Sequence, residues 1–199
     1  MSDLLTLLEE LQSIARTGLN YSTDPYARAH YSRLLELAAI HYGKALDLPA
    51  AEVRARLEGE LGSITPKVGA DAAIFDDQGR ILLVERSDDR CWGLPAGWVD
   101  PNEAPPSTVR REAREELNLE VEPVQLVDVM FRPASTEWGP HAVVSIVYLC
   151  EVRGGEIALS HEVLGARFWT IEDVPVWHKD HLEFAKAAHA VWTTRQGAV

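Results

Sequence analysis

Cysteine is nearly missing from this sequence: Cys91 and Cys150 are the only two in 199 residues. They lie far apart and form no closely spaced pair, which excludes a paired-thiolate metal or redox centre. A reducing, cytoplasmic setting is the expectation. Positive charge is also scarce, with 19 Lys and Arg against 31 Asp and Glu for a net charge of -12. That balance disfavours a broad grip on nucleic acid or on an anionic membrane, because both depend on clustered cations. A phosphate-bearing ligand would have to be met with help from bound cations. No apolar run approaches membrane-spanning length. The opening MSDLLTLLEELQ is acidic and amphipathic, without the basic start, apolar stretch and cleavage site of an export signal. Internal repeats and low-complexity tracts are missing too.

What is present is the make-up of an ordinary globular protein, 46% hydrophobic and 25% charged, with chain enough for one or two domains. Up to about Leu61 the apolar residues follow helical spacing: Leu4, Leu8, Leu11 and Ala15, then Tyr31, Leu34, Leu35, Ala38 and Tyr42, then Val53, Leu57 and Leu61. Three helices are expected. Asp24-Pro25 supplies an N-cap and a first-turn proline for the second, Pro49 opens the third in a similar way, and GLNYSTDP reads as the loop between the first two. Gly62 to Pro66 stops the helical pattern, so the boundary is placed there, giving a helical domain over 1–64 and a second domain over 65–199. Beyond it the period shortens. VGADAAIF and RILLVER form an expected hairpin around a turn with Asp77 and Gly79, and later strands are expected at VEPVQLVDVMF, HAVVSIVYLCEV and ARFWTI. A helix from about Pro106 to Leu117 lies between strands, and another from about Leu182 to Thr194 follows them. Mixed in this order, the elements indicate an α+β domain with an αβα layering.

The chemistry is concentrated in GWVDPNEAPPSTVRREAREELNL, residues 97–119. Glu112, Glu115 and Glu116 stand at i, i+3 and i+4, which brings three carboxylates to one helical face. Crowded like charges repel unless something neutralises them, and hard divalent cations such as Mg²⁺ or Mn²⁺ are the natural counter-charge for oxygen donors. Arg111, one turn before Glu115, is placed to orient that carboxylate. Asn118 ends the helix, where a left-handed backbone is expected and Asn is the next most tolerant residue after glycine. An isolated ExxEE on a helix is usually solvated surface, but here it follows a patterned loop.

Taken together, Gly97, Glu103, Arg111, Glu112, Glu115 and Glu116 resemble the Nudix box, a Gly, five residues, a Glu, seven residues, then Arg-Glu-apolar-x-Glu-Glu-x-Gly-apolar. Every specified position matches except 118, where Asn replaces glycine. By background usage the six matched positions would coincide on the order of 10⁻⁷ times per window. The resemblance implies a Nudix-type αβα sandwich with a mixed sheet, and metal-dependent cleavage of a phosphate–phosphate bond. It also implies that the Ala96 carbonyl joins Glu112, Glu115 and Glu116 as a metal ligand; Glu103, in the loop, is expected to brace the loop against the helix through Arg111, the alternative being direct metal binding. Such enzymes often carry a general base on a later loop, and LSHEVLGARFWTIEDVP resembles that stretch, making Glu162 the candidate. The alternatives are a water-facing role for Glu162 and a role for the neighbouring His161. Trp98, and less so Trp92, are candidates to stack on a nucleobase, with core packing the alternative for Trp92. Arg86, at the end of an apolar strand, is a candidate phosphate or base contact or else a solvated strand end, and Arg132 has similar standing.

The helical segment, including LQSIARTGLNYSTDPYARAHY, resembles the N-terminal domain of Nudix hydrolases acting on nucleoside diphosphates linked to X, of which CDP-choline and ADP-ribose pyrophosphatases are representatives. This resemblance implies a linked nucleoside diphosphate as substrate. The Tyr-rich helical stripes exceed what a small bundle needs to bury, so homodimerisation through them is expected, against packing within one chain. Two other functions compete. One is a house-cleaning nucleoside triphosphate pyrophosphatase, separated by its release of inorganic pyrophosphate. The other is a nucleotide-sensing module, which would tolerate loss of the box carboxylates and require an output domain.

Overall fold

The computed structural model describes residues 2–59, 65–100, 102–135 and 141–197. They divide into two compact units, one of residues 1–67 with 132–143, the other of 68–131 with 144–199. The expected boundary adjoins residues 60–64, which lie outside the described residues. The division is not purely sequential, because 132–143 goes with the helices.

In the first unit, α1 (Ser2–Tyr21), α2 (Pro25–Leu46) and α3 (Ala50–Glu58) form three helices. Leu5, Leu8 and Ala15 of α1 pack with Leu35, Ala39 and Tyr42 of α2 and Val53 and Leu57 of α3. Asp24 caps α2 by accepting from the Ala27 N–H at 2.8 Å, with Pro25 in the first turn; such a cap is worth about 1 kcal/mol. Pro49 stands one place earlier than a first-turn proline, as the residue preceding α3. The loop expected from Gly18 is shorter than its sequence suggests, since α1 continues to Tyr21. Gly18 is a contact here and not a stop: a side-chain carbon on it would strike the Tyr31 ring. Arg28 then donates to the free carbonyls of Leu19 and Ser22, satisfying the end of α1. Segment 132–143 joins this unit through the Thr6 hydroxyl, which donates to the Ala134 carbonyl at 2.9 Å, and the Glu9 carboxylate, which accepts from the Ala142 N–H at 2.7 Å.

The second unit is built on β1 (Lys67–Ile74), β2 (Ile81–Arg86), β3 (Trp92–Gly93), β4 (Ala96–Trp98), β5 (Leu119–Arg132), β6 (Val143–Gly155) and β7 (Val163–Trp169), with helices α4 (Pro105–Leu117) and α5 (His181–Gln196). Two sheets form, in the orders β4-β1-β6-β5 and β3-β2-β7. The expected β1–β2 hairpin has its turn, where the Asp76 N–H donates to the Arg80 carbonyl at 3.0 Å and Gly79 takes φ +76°. After a single bridge, Phe75 to Ile81, however, the strands part into different sheets. Alternation explains the layering. Ala70, Ala72, Ile74, Leu82 and Val84 face Val109, Ala113 and Leu117 of α4, whereas Ala73, Ile81 and Leu83 face Phe184, Ala185 and Ala188 of α5. The result is helix, sheets, helix. Among the described residues no helix is long and apolar enough to cross a membrane.

Candidate active site

The packing of α4 decides where its carboxylates go. Val109, Ala113 and Leu117, spaced by four, enter the core, and the neighbouring stripe of Thr108, Glu112 and Glu116 is drawn in beside them. Glu115 remains outside, 58% exposed at its side chain. Asn118 closes the helix at φ 57°, ψ 28°, the left-handed conformation expected of that position, and its amide donates to the Glu156 carbonyl at 3.1 Å. Opposite α4 lies β4, registered against β1 through Gly69–Trp98, Ala70–Gly97 and Asp71–Ala96. Gly97 is required by proximity, because a side-chain carbon there would overlap the Glu112 carboxylate.

Arg111 organises the face. Its Nε and Nη2 donate to the two oxygens of Glu103, each at 3.0 Å, and Nη2 also donates to the Trp98 carbonyl at 3.0 Å. Nη1 donates to Glu112 at 2.7 Å and to Glu115 at 3.1 Å. Glu103 also accepts from the buried Thr108 hydroxyl at 2.7 Å. The Arg111 guanidinium, then the Thr108 hydroxyl, hold the Glu103 carboxyl down at about 2. Glu103 is therefore a fixed anion at neutral pH.

The inner carboxylates behave oppositely. Glu116 is 6% exposed, and burial, reinforced by the charge of Glu112, pushes its carboxyl up to about 8 although the Ala96 N–H and Arg86 oppose the shift. Among the described residues, one Glu116 oxygen is buried without a hydrogen-bond partner. Burial also raises Glu112, against the pull of Arg111. A buried carboxylate with an unmet oxygen is costly to ionise unless a cation arrives. The available donors are all oxygen: Glu112, Glu115, Glu116 and the Ala96 carbonyl. Such a set fits a hard divalent cation better than a soft one. Among the described residues no three acidic, His or Cys groups already converge as a cage; the Arg111 Nη1 group sits between Glu112 and Glu115 and binds both.

The sign of the pH effect follows from the raised Glu116 carboxyl. Its protonated form is favoured in the fold, so its contribution to stability is full below the ordinary value of 4.5 and is lost as pH rises through about 8. Metal-free protein is expected to show a falling Tm across that window in thermal scans, and Glu116→Gln should flatten that fall. A slope unchanged in the variant would contradict this assignment.

The rim carries the remaining candidates. The Ser87 N–H donates to the Glu162 carbonyl at 3.2 Å, so the β2–β3 loop and the approach to β7 run side by side. The Glu162 side chain is exposed, 3.8 Å from His161, and its charge raises both Glu112 and Glu116. Arg86 is engaged with Asp88, donating from Nε at 3.0 Å and from Nη2 at 2.8 Å, and its field reaches Glu116. Trp98 is 55% exposed. Trp92 instead packs edge-on against Trp169, 5.1 Å between ring centres, in the core facing α5. Arg132 falls in the other unit.

Three contributors had no readable signal. Thr108 sits five residues after Glu103, a spacing that acquires meaning only once the loop is folded. Asp88 follows a strand-end Arg at i+2, a pattern common on surfaces. His181, 87 positions beyond Leu94, accepts the Leu94 N–H at Nδ1 at 3.0 Å and so supports the segment leading to Ala96.

The sequence pattern described as the NUDIX domain matches residues 65–190, and that described as the UDP-X-like, N-terminal oligomerisation domain matches residues 2–57. The chain is 28% identical to the Bacillus subtilis (strain 168) protein YjhB, whose name gives it provisionally as an ADP-ribose pyrophosphatase, over 84% of this chain and 80% of that one. It is 32% identical to an ADP-ribose pyrophosphatase of Methanocaldococcus jannaschii, over 61% of this chain and 72% of that one. Among solved structures, a UDP-X diphosphatase superposes with TM-score 0.59 at 24% identity, covering 100% of this chain and 96% of the other.

Proposed function

We propose, since this chain belongs to the Nudix family, that it hydrolyses the diphosphate bond of a nucleoside diphosphate linked to a second group X. The products are a nucleoside monophosphate and X-phosphate, and Mg²⁺ or Mn²⁺ is required. The observation that carries this reading is the buried Glu116 oxygen, without a hydrogen-bond partner among the described residues, beside Glu112 on the box helix. The substrate class is supported by the ADP-ribose pyrophosphatases among its relatives and by the UDP-X-like segment at 2–57, with ADP-ribose and CDP-choline types the first candidates.

Glu112, Glu115, Glu116 and the Ala96 carbonyl would hold the cation, which when bound neutralises diphosphate charge and lowers the pKa of a water. Arg111 orients Glu112 and Glu115 while Glu103 clamps it from behind. Glu103, at about 2, is too acidic to take a proton at neutral pH. That duty is assigned to Glu162, whose exposed carboxylate is felt by the inner pair. Arg86 takes a substrate phosphate and Trp98 offers an exposed ring to the base. The test is a panel of linked diphosphates and nucleoside triphosphates with either metal. Monophosphate and X-phosphate are expected; pyrophosphate from triphosphates, with linked diphosphates untouched, would reject the reading in favour of a house-cleaning pyrophosphatase.

Catalysis is assigned to residues 65–199 and self-association to 1–64. A homodimer is supported by α1, where Leu4, Leu7 and Ile14 are exposed and Leu11 is half-buried, at alternating steps of three and four on one face. Wild-type protein is expected to elute at twice the chain mass in size exclusion with light scattering, and the double variant Leu7→Glu, Ile14→Glu at the monomer mass. An unchanged mass in the variant would remove this face from the interface. Two free cysteines support a reducing, cytoplasmic location.

A further inference from the structure

Arg86 and Asp88 make an arrangement that the reaction just described does not require. The guanidinium lies at the open rim of the carboxylate face, 30% exposed, and Asp88 fills its fork with both oxygens, at 3.0 and 2.8 Å. The backbone fixes the Arg and leaves the Asp at the surface. The Arg86 N–H donates to the Cys91 carbonyl at 3.0 Å, its own carbonyl accepts from the Arg90 N–H at 3.1 Å, and the β2–β7 register shifts between Glu85 and Arg86. Asp88 sits at the turn with its side chain 59% exposed. Its neighbour Asp89 is tied elsewhere, to His178 Nδ1 at 2.5 Å.

A planar fork that receives two carboxylate oxygens receives two phosphate oxygens with the same geometry. The Arg86 field also reaches Glu116, so a phosphate on this fork would sit beside the metal-binding face. Held open, the fork would offer its two parallel N–H donors to any small anion that reached the rim. We propose that Asp88 is an internal stand-in for phosphate: it occupies the Arg86 fork in the free enzyme and is displaced when the substrate diphosphate binds, making it a specificity-setting residue that taxes weak anions. The inference rests on the assignment of Arg86 to a substrate phosphate.

An exposed pair of this kind opposes its competitor modestly. Asp88→Asn is therefore expected to lower KM for the linked diphosphate and the dissociation constant for inorganic pyrophosphate, the latter read by calorimetry, by about two- to fivefold each with kcat unchanged. Arg86→Gln should raise both. The decisive comparison is the double variant Arg86→Gln, Asp88→Asn against Arg86→Gln alone. Displacement from the fork predicts that Asp88→Asn has no effect once Arg86 is gone. A gain that persists in the Arg86→Gln background would reduce Asp88 to a through-space repulsion, and an unchanged or raised dissociation constant in Asp88→Asn itself would also overturn the proposal. If Arg86→Gln leaves pyrophosphate binding intact, the Arg86 assignment falls and the proposal with it. If linked diphosphates are not turned over but the pyrophosphate pattern holds, the substrate reading fails and the stand-in role remains.

Discussion

Replacing Glu116 by Gln is expected to lower kcat by about 10³-fold with the fold intact, because charge stabilisation at the reacting centre is usually the largest single contribution to such a rate. Gln is nearly isosteric and keeps a carbonyl oxygen for the Ala96 N–H, so the helix and β4 have no reason to separate. What the variant loses is negative charge at a site whose burial makes that charge expensive without a cation. Steady-state kinetics over a metal titration, with circular dichroism as the fold control, would read the effect. Excess metal should not rescue kcat, whereas Glu162→Gln should retain the metal response while losing rate. Near-wild-type turnover by Glu116→Gln would remove the inner face of α4 from the chemistry.

Gly97→Ala is the second large effect, and it tests geometry without touching a charge. The added methyl would occupy the space of the Glu112 carboxylate, which Arg111 holds at 2.7 Å. Either the carboxylate or β4 must move. A displacement near 1 Å at a reacting centre costs about 10²-fold in rate, and overpacking of this kind costs about 1–3 kcal/mol in stability. Activity and urea unfolding measured on the same preparation separate the two costs. Wild-type kinetics in Gly97→Ala would mean that the position of Glu112 is not critical.

The parts of the fold that could be read from sequence are those whose cause is local. Asp24 followed by Pro25 states its own cap within three residues, and the spacing of Glu112, Glu115 and Glu116 turns into one helical face whatever surrounds it. Asn118 has the backbone conformation its position requires. Other features needed partners that spacing does not name. Gly18 reads as a breaker until the Tyr31 ring is seen against it. The β1 and β2 runs carry apolar residues on both faces, which announces burial but not that each strand joins a different sheet, nor that Asp71 of β1 is buried with them. Ala134 lies between two expected strands and Ala142 at the start of the second, yet their bonds to Thr6 and Glu9 place them with the helices. Within the site, Glu103 and Arg111 belong to a recognisable spacing; Asp88 and His181 act through contacts created only by folding.

The most direct test follows ADP-ribose by ³¹P NMR in the presence of metal-free wild-type enzyme, with Glu116→Gln in parallel, as Mg²⁺ or Mn²⁺ is added. The diphosphate resonances of the substrate are predicted to give way to two phosphomonoester resonances, only after metal is added and only with the wild-type protein. Cleavage that proceeds in chelator, or equally well with Glu116→Gln, would contradict a metal-dependent centre built on the buried face of α4.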